Sequence, residues 1–143
     1  MLRQMRTSGP MSHKLLLLLA GLIFAASAQQ PNPNFTGNIT RLQENPPGQI
    51  TYIHFDAGAR TKWHTHEKGQ LIFVEEGVAL AQEKDGPIIE LHAGEVIWCP
   101  PGVAHWHGAS PTQGGTQYNV TRGGITWLAE VSDAEYNAKP VHK

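Results

Sequence analysis

Cysteine is almost missing from this chain: Cys99 is the single one in 143 residues. No intramolecular disulfide can form, so stability has to come from packing, from a bound metal or from self-association. An excess of one charge is missing as well. The 11 Lys and Arg stand against 12 Asp and Glu, with no basic stripe or run, which speaks against nucleic acid and anionic membrane surfaces as partners. Helical periodicity is scarce, and no internal repeat or low-complexity tract follows the N-terminal region. The length is that of one domain.

What is present begins with a long apolar run confined to the N-terminus. Arg3, Arg6 and Lys14 precede the unbroken stretch Leu15 to Phe24, and Ala26-Ser27-Ala28 has the small-x-small form that a signal peptidase cuts after. The run is shorter than the roughly 20 residues that a membrane span needs. Residues 1–28 are therefore expected to be a cleavable signal peptide, cut after Ala28, and the product secreted or periplasmic and free of the membrane. Translation could equally start at Met11, which keeps Lys14 ahead of the run. Asn34, Asn38 and Asn119 each open an Asn-x-Thr triplet, which matters only in a source that glycosylates.

Residues 29–48 are rich in Pro, Asn and Gly and read as an extended arm, with one short strand around Ile39. From Gln49 onward, short β-prone segments alternate with turn signals. Strands are expected at Ile50 to Phe55, Leu71 to Glu75, Val78 to Glu83, Ile88 to Leu91, Glu95 to Cys99, Thr116 to Thr121 and Ile125 to Val131. Gly- or Pro-bearing turns such as Glu76-Gly77, Asp85-Gly86-Pro87 and Pro100-Pro101-Gly102 separate them. This even spacing predicts an all-β antiparallel sandwich or barrel. Only the tail reads as helical: Ser132 with Glu135 forms a capping box that opens a turn or two through Asn137.

Placement makes the eight histidines informative. His64 and His66 are at i and i+2, so on a strand both point to the same face and can reach one ion. Gln70 follows beyond Gly69, where the chain can bend back toward that face. His105 comes after a Pro-Pro-Gly turn, with His107 again at i+2. Three imidazoles and a carboxamide oxygen suit a first-row divalent ion: Mn, Fe, Co, Ni or Zn.

Two stretches carry a resemblance. Gly58, five residues, His64-Thr-His66, Gln70 and then Gly77 resembles the first cupin motif. Gly94, five residues, Pro100-Pro-Gly102, two residues and His105 resembles the second. The resemblance implies a cupin fold, a double-stranded β-helix or jelly-roll barrel, over residues 49–143. It also implies that His64, His66, Gln70 and His105 hold the metal. Gln70 stands where most cupins have a glutamate, and Ala109 where an asparagine is frequent. A neutral amide leaves the full divalent charge on the ion, making it the stronger Lewis acid; it also supplies no carboxylate base.

The finer texture is similar to that of bacterial manganese-dependent cupin hydroxynitrile lyases, which act on (R)-cyanohydrins, and of cupins related to carboxymuconolactone decarboxylases. It comprises Gly-Ala-Arg-Thr-x-Trp-His-Thr-His, Gly69-Gln70, Pro-Gly-x-x-His-Trp-His-Gly-Ala, Trp127 and the Val131 to Tyr136 tail. The similarity implies one divalent ion, manganese before the others, a small-molecule substrate and a homodimer or higher homo-oligomer. His107, sharing a face with His105, is the expected proton-transfer group, since the unperturbed pKa of histidine is close to neutrality; the alternative is that it orients a metal ligand. Thr51, Ile53, Phe55 and Thr121 are expected on the pocket wall, together with Phe73 and with Val96 or Trp98. Strand parity leaves open the opposite face, which would turn Tyr52 and His54 inward. Trp63, Trp106 and Trp127 read as packing residues, and His92 falls at a turn. Three readings follow: a lyase of small cyanohydrins, an iron-dependent dioxygenase, and a non-catalytic cupin that binds a small ligand.

Overall fold

The computed structural model describes residues 32–44 and 49–143. The expected signal peptide and its cleavage site lie outside them. Among the described residues, twelve strands and one short helix follow in order: β1 (Phe35–Thr36), β2 (Ile39–Glu44), β3 (Ile50–Phe55), β4 (Arg60–Thr61), β5 (His64–His66), β6 (Gln70–Glu83), β7 (Ile88–His92), β8 (Val96–Cys99), β9 (His105–Ala109), β10 (Gly115–Thr121), β11 (Ile125–Trp127), α1 (Asp133–Tyr136) and β12 (Val141–His142). They form a nearly closed β-barrel of the jelly-roll kind. Every strand pair is antiparallel except β12 with β7.

The hub is β6. Its first half, from Gln70, pairs with β8 and β10, and its second half, to Glu83, pairs with β7 and β9. The sequence predicts two strands here with a turn at Glu76-Gly77. The chain instead bends without reversing, so that one strand crosses from one sheet to the other. Gly77 makes the bend possible. Its φ is 76°, and a Cβ there would collide with the carbonyl oxygen of Gly114, just ahead of β10. The other end of the predicted strand set is also shorter than expected: β11 stops at Trp127. Beyond it the pairing turns irregular: the Leu128 amide donates to Trp63 O at 2.8 Å, and the Trp63 amide to Ala129 O at 3.0 Å.

Strand alternation fills the interior. Ile53 and Phe55 point inward with Ala59 and Ala109, and Val74, Ala79, Ala81 and Leu91 form a second cluster. A third joins Trp63, Leu80, Ile88 and Trp106 to Val131 and Tyr136 of the tail. The tail is also held by polar groups. Ser132 and Glu135 make the predicted capping box, with Glu135 N donating to Ser132 Oγ at 3.2 Å and Ser132 N to Glu135 Oε2 at 2.8 Å. The buried Arg60 guanidinium donates to Val131 O at 3.0 Å and to Asp133 Oδ1 at 2.6 Å, and lies 4.4 Å from the centre of the Tyr136 ring. Cys99 is buried, which pushes its thiol up to about 12 and leaves it unsuited to intermolecular pairing.

Backbone contact is also close where β9 pairs with β4. A Cβ on Gly108 would strike Ala59 O and stand 2.6 Å from Arg60 Cα. Gly108→Ala should therefore force these strands apart and destabilise the fold by about 1–3 kcal/mol, read as a lower midpoint in thermal or denaturant unfolding. An unchanged midpoint would show that the crossing tolerates the methyl group.

Candidate metal centre and cavity

Register brings the histidines together. His64 on β5 pairs with His105 on β9, and His66 follows on the same face of β5. The candidate ligand atoms of His64, His66 and His105 all lie within 4.8 Å of one another, and all three residues are buried. Gln70, at the start of β6, turns its Oε1 to 2.9 Å from His105 Nε2. The four residues proposed from the sequence thus meet at one point inside the barrel.

Hydrogen bonds decide which nitrogen of each ring is free. His64 Nδ1 stands 2.8 Å from Lys62 O, and His105 Nδ1 stands 3.1 Å from Val103 O. A carbonyl can only accept, so both Nδ1 atoms carry the proton and both Nε2 atoms keep a lone pair. His66 has no partner on either nitrogen. Gln70 Nε2 donates to Thr121 Oγ1 at 3.1 Å, which aims its carbonyl oxygen at the imidazoles. His105 Nε2 and Gln70 Oε1 are then two lone-pair atoms face to face, and His66 is a buried orphan. A cation between them satisfies all of these atoms together, so the donor set fits a divalent metal. Burial, and then the neighbouring His105, push His64 down to about 3 and His66 to about 4; His105 is lowered too, chiefly by burial. The rings are neutral at pH 7 and hold their lone pairs without competition from protons.

His107 lies on the inner face of β9 two residues beyond His105, with its ring centre 5.5 Å from that of His64. Gln117 on β10 donates through Nε2 to Gly108 O at 2.9 Å, which leaves its Oε1 facing His107 Nδ1 at 2.9 Å. His107 must donate there, so its Nε2 is an acceptor. Burial, and then the neighbouring imidazoles, hold its pKa well below the usual histidine value.

A cavity of about 590 Å³ opens onto His64, His66, Gln70 and His107. Thr51, Ile53 and Thr121 line it as the sequence predicts. Phe55 does not. It faces inward but lies behind the wall, packed edge-on against His107 at 5.7 Å. Phe73, Val96 and Trp98 are likewise corrected: they sit on the outer side of the sheet, where Val96 is 40% and Trp98 50% exposed, because β6 presents Gln70, Ile72 and Val74 inward and its odd-numbered neighbours outward. Tyr52 and His54 also face out; Tyr52 bonds Glu75, and His54 bonds Thr116.

Sequence reasoning missed several residues of the wall. Trp127, read as packing, stands 5.0 Å from His64, with Phe35 of β1 6.0 Å beyond it. Trp63 and Trp106 are core residues as expected. Gln117 carries no motif of its own; only its alternation with Thr121 along one strand hints at an inward side chain. Asn119, noted as part of an Asn-x-Thr triplet, is 1% exposed and lines the cavity, so it is not available for glycosylation. Arg41, ion-paired with Glu44 at 2.9 Å, lies at the cavity rim.

Comparison with known proteins agrees with this geometry. The family described as the cupin domain matches residues 51–118. The chain is 37% identical to an (R)-mandelonitrile lyase of Granulicella tundricola over 120 residues, which covers 78% of this chain and 92% of that protein. A cupin-like protein from Thermotoga maritima superposes with a TM-score of 0.66 at 34% identity, covering 73% of this chain and 90% of its own. A cupin 2 conserved barrel domain protein from Rhodopseudomonas palustris has the same fold, with a TM-score of 0.55 at 17% identity over 71% of this chain and 74% of its own. With two spaced histidine motifs meeting inside a jelly-roll barrel, and with relatives matched over most of its length, the chain belongs to the cupin family.

Proposed function

We propose that this protein is a metal-dependent carbon–carbon lyase that cleaves and forms small cyanohydrins. The observation that carries the reading is His107, held by Gln117 with its acceptor nitrogen free, beside a histidine triad in one cavity. The likeness to a relative named as an (R)-mandelonitrile lyase supports the same chemistry. His64, His66, Gln70 and His105 would hold one divalent ion, manganese before iron, zinc, nickel or cobalt, and that ion supplies a Lewis acid for a substrate oxygen.

The chain's own part is proton transfer and exclusion of water. His107 Nε2 takes the proton from the cyanohydrin hydroxyl. The O–H electron pair becomes the second carbon–oxygen bond, and the carbon–carbon pair leaves with cyanide. The imidazolium then returns its proton to cyanide, so that an aldehyde and hydrogen cyanide leave; synthesis runs the same steps in reverse. The low pKa of His107 makes it a weak base in the free protein, and it makes the return of the proton favourable. Phe35, Ile53 and Trp127 supply an apolar wall for the substrate's organic substituent. Export of the protein is proposed on its N-terminal residues alone.

The outer face of the sheet supports self-association. Ile50, Val120, Leu71 and Trp98 stand side by side across β3, β10, β6 and β8, and Tyr52, Tyr118, Phe73 and Val96 form the next row. The first row is exposed throughout. A sheet apolar on both faces is ordinarily covered on both, and a second copy meeting it about a two-fold axis covers it with a surface of matching shape.

Three outcomes are expected. His66→Ala should stay folded yet lose stoichiometric metal in elemental analysis; full retention would remove the triad as the metal site. Manganese-loaded protein should release benzaldehyde from mandelonitrile without oxygen, and His107→Ala should keep its metal but lose on the order of 10²–10⁴-fold in rate. Oxygen-dependent turnover with iron would replace the lyase by a dioxygenase, and near-normal turnover of the variant would take the proton from His107. Finally, sedimentation should show a dimer that Val120→Lys converts to a folded monomer, whereas a monomeric parent protein would exclude the outer face as an interface.

A further inference from the structure

The cavity holds a polar group that the chemistry above does not use. Asn119 and Thr51 are partners across the β10–β3 ladder, and both line the cavity. Asn119 Nδ2 donates to Thr51 Oγ1 at 3.4 Å, while Asn119 Oδ1 is buried with no hydrogen-bond partner. Every other polar side chain on this face of β10 is engaged. Gln117 holds His107, and Thr121 holds Gln70. Asn119 lies between them, each neighbour one two-residue step, about 7 Å, away along the strand.

The pair offers one acceptor, Asn119 Oδ1, and one donor, the Thr51 hydroxyl proton, which its bond from Asn119 leaves free. Turning the amide over exchanges these roles without changing their sum: Thr51 then donates to Oδ1, and the cavity faces an Nδ2 donor and a Thr51 lone pair. A hydroxyl group, which is both donor and acceptor, complements the pair in either orientation. A purely apolar ligand would displace water from the pair and leave it unsatisfied, which is costly. The surrounding Ile53, Phe35 and Trp127 favour a flat apolar body between the two polar ends.

We infer that Asn119 and Thr51 form a recognition site for a second hydroxyl on the ligand, so that the preferred substrate is a hydroxylated, ring-bearing cyanohydrin rather than an unsubstituted one. The inference rests on the lyase reading for what is turned over, but not for what is bound. Two experiments separate them. In the first, metal-loaded protein is titrated calorimetrically with 4-hydroxybenzyl alcohol and with benzyl alcohol, neither of which can react as a cyanohydrin. The hydroxylated compound should bind on the order of 10- to 100-fold more tightly, the range for pairing an otherwise unsatisfied buried polar group. In Asn119→Leu, similar in volume and apolar, that preference should vanish, with benzyl alcohol bound at least as tightly as before because the unsatisfied amide is gone.

In the second, kcat/KM for 4-hydroxymandelonitrile over mandelonitrile should show the same preference and lose it in the same variant. Asn119→Asp, which keeps the acceptor, serves where the leucine variant does not fold, and should retain a preference. Equal affinity for the two alcohols, failure of both to bind, or equal weakening of both in Asn119→Leu would overturn the proposal. A binding preference without cyanohydrin turnover would uphold the hydroxyl site and reject the lyase.

Discussion

One hydrogen bond on each of three imidazoles, His64, His105 and His107, sets the character of the cavity. His64 and His105 each donate from Nδ1 to a backbone carbonyl two residues earlier, Lys62 O and Val103 O. His107 donates to a glutamine that is itself held by backbone. These bonds fix the rotation of each ring and leave Nε2 with its lone pair directed inward. Burial keeps the rings neutral, so the lone pairs persist at neutral pH. Without the backbone acceptors the same histidines would present mixed tautomers and neither bind an ion nor accept a proton in a defined direction.

Those acceptors exist because of how the strands meet. The chain enters β5 from Lys62 and β9 from Val103, so in both places the residue two positions before the histidine supplies the carbonyl. Pairing of His64 with His105 then sets two such units face to face. The long strand β6 completes the arrangement. Its first residue, Gln70, carries the amide, its odd-numbered neighbours form the outer apolar face, and its bend at Gly77 carries the second half into the sheet that holds His107. Site, proposed interface and core are three consequences of one alternating strand.

The balance between polar and apolar groups inside the barrel is unusual for so small a core. His64, His66, Gln70, His105, His107, Gln117 and Asn119 are all buried. The atoms left wanting among these residues are both nitrogens of His66, Asn119 Oδ1 and the facing lone pairs of His105 Nε2 and Gln70 Oε1, all at the histidine cluster or the cavity beside it. Unsatisfied buried polar atoms destabilise a fold, and here they are confined to the place where a metal and a ligand would complete them. Stability is supplied elsewhere, by the tail that Arg60 and Tyr136 fasten over the third apolar cluster.

Much of this was written locally in the chain. Period-two alternation and turn residues specify strands, spacing at i and i+2 puts His64 with His66 and His105 with His107 on common faces, and Ser132 with Glu135 starts the helix; each depends only on near neighbours. The inward direction of Thr51, Ile53 and Thr121 follows from the same parity. What local pattern could not assign is anything that depends on a partner strand. Phe55 faces inward yet lies behind His107, and Trp98 faces outward although it is apolar, because depth and side are properties of the closed sheet. Gly77 reads as a turn in isolation and becomes a bend only because two different strands flank the halves of β6. Gln117 and Asn119 have no signature at all, since their roles come from which ring or hydroxyl the neighbouring strand brings opposite them. The residue types of the metal centre belong to the sequence; the choice of free nitrogen, the orphaned oxygen and the cavity between them belong to the tertiary structure, because a lone pair has direction only once its ring is held.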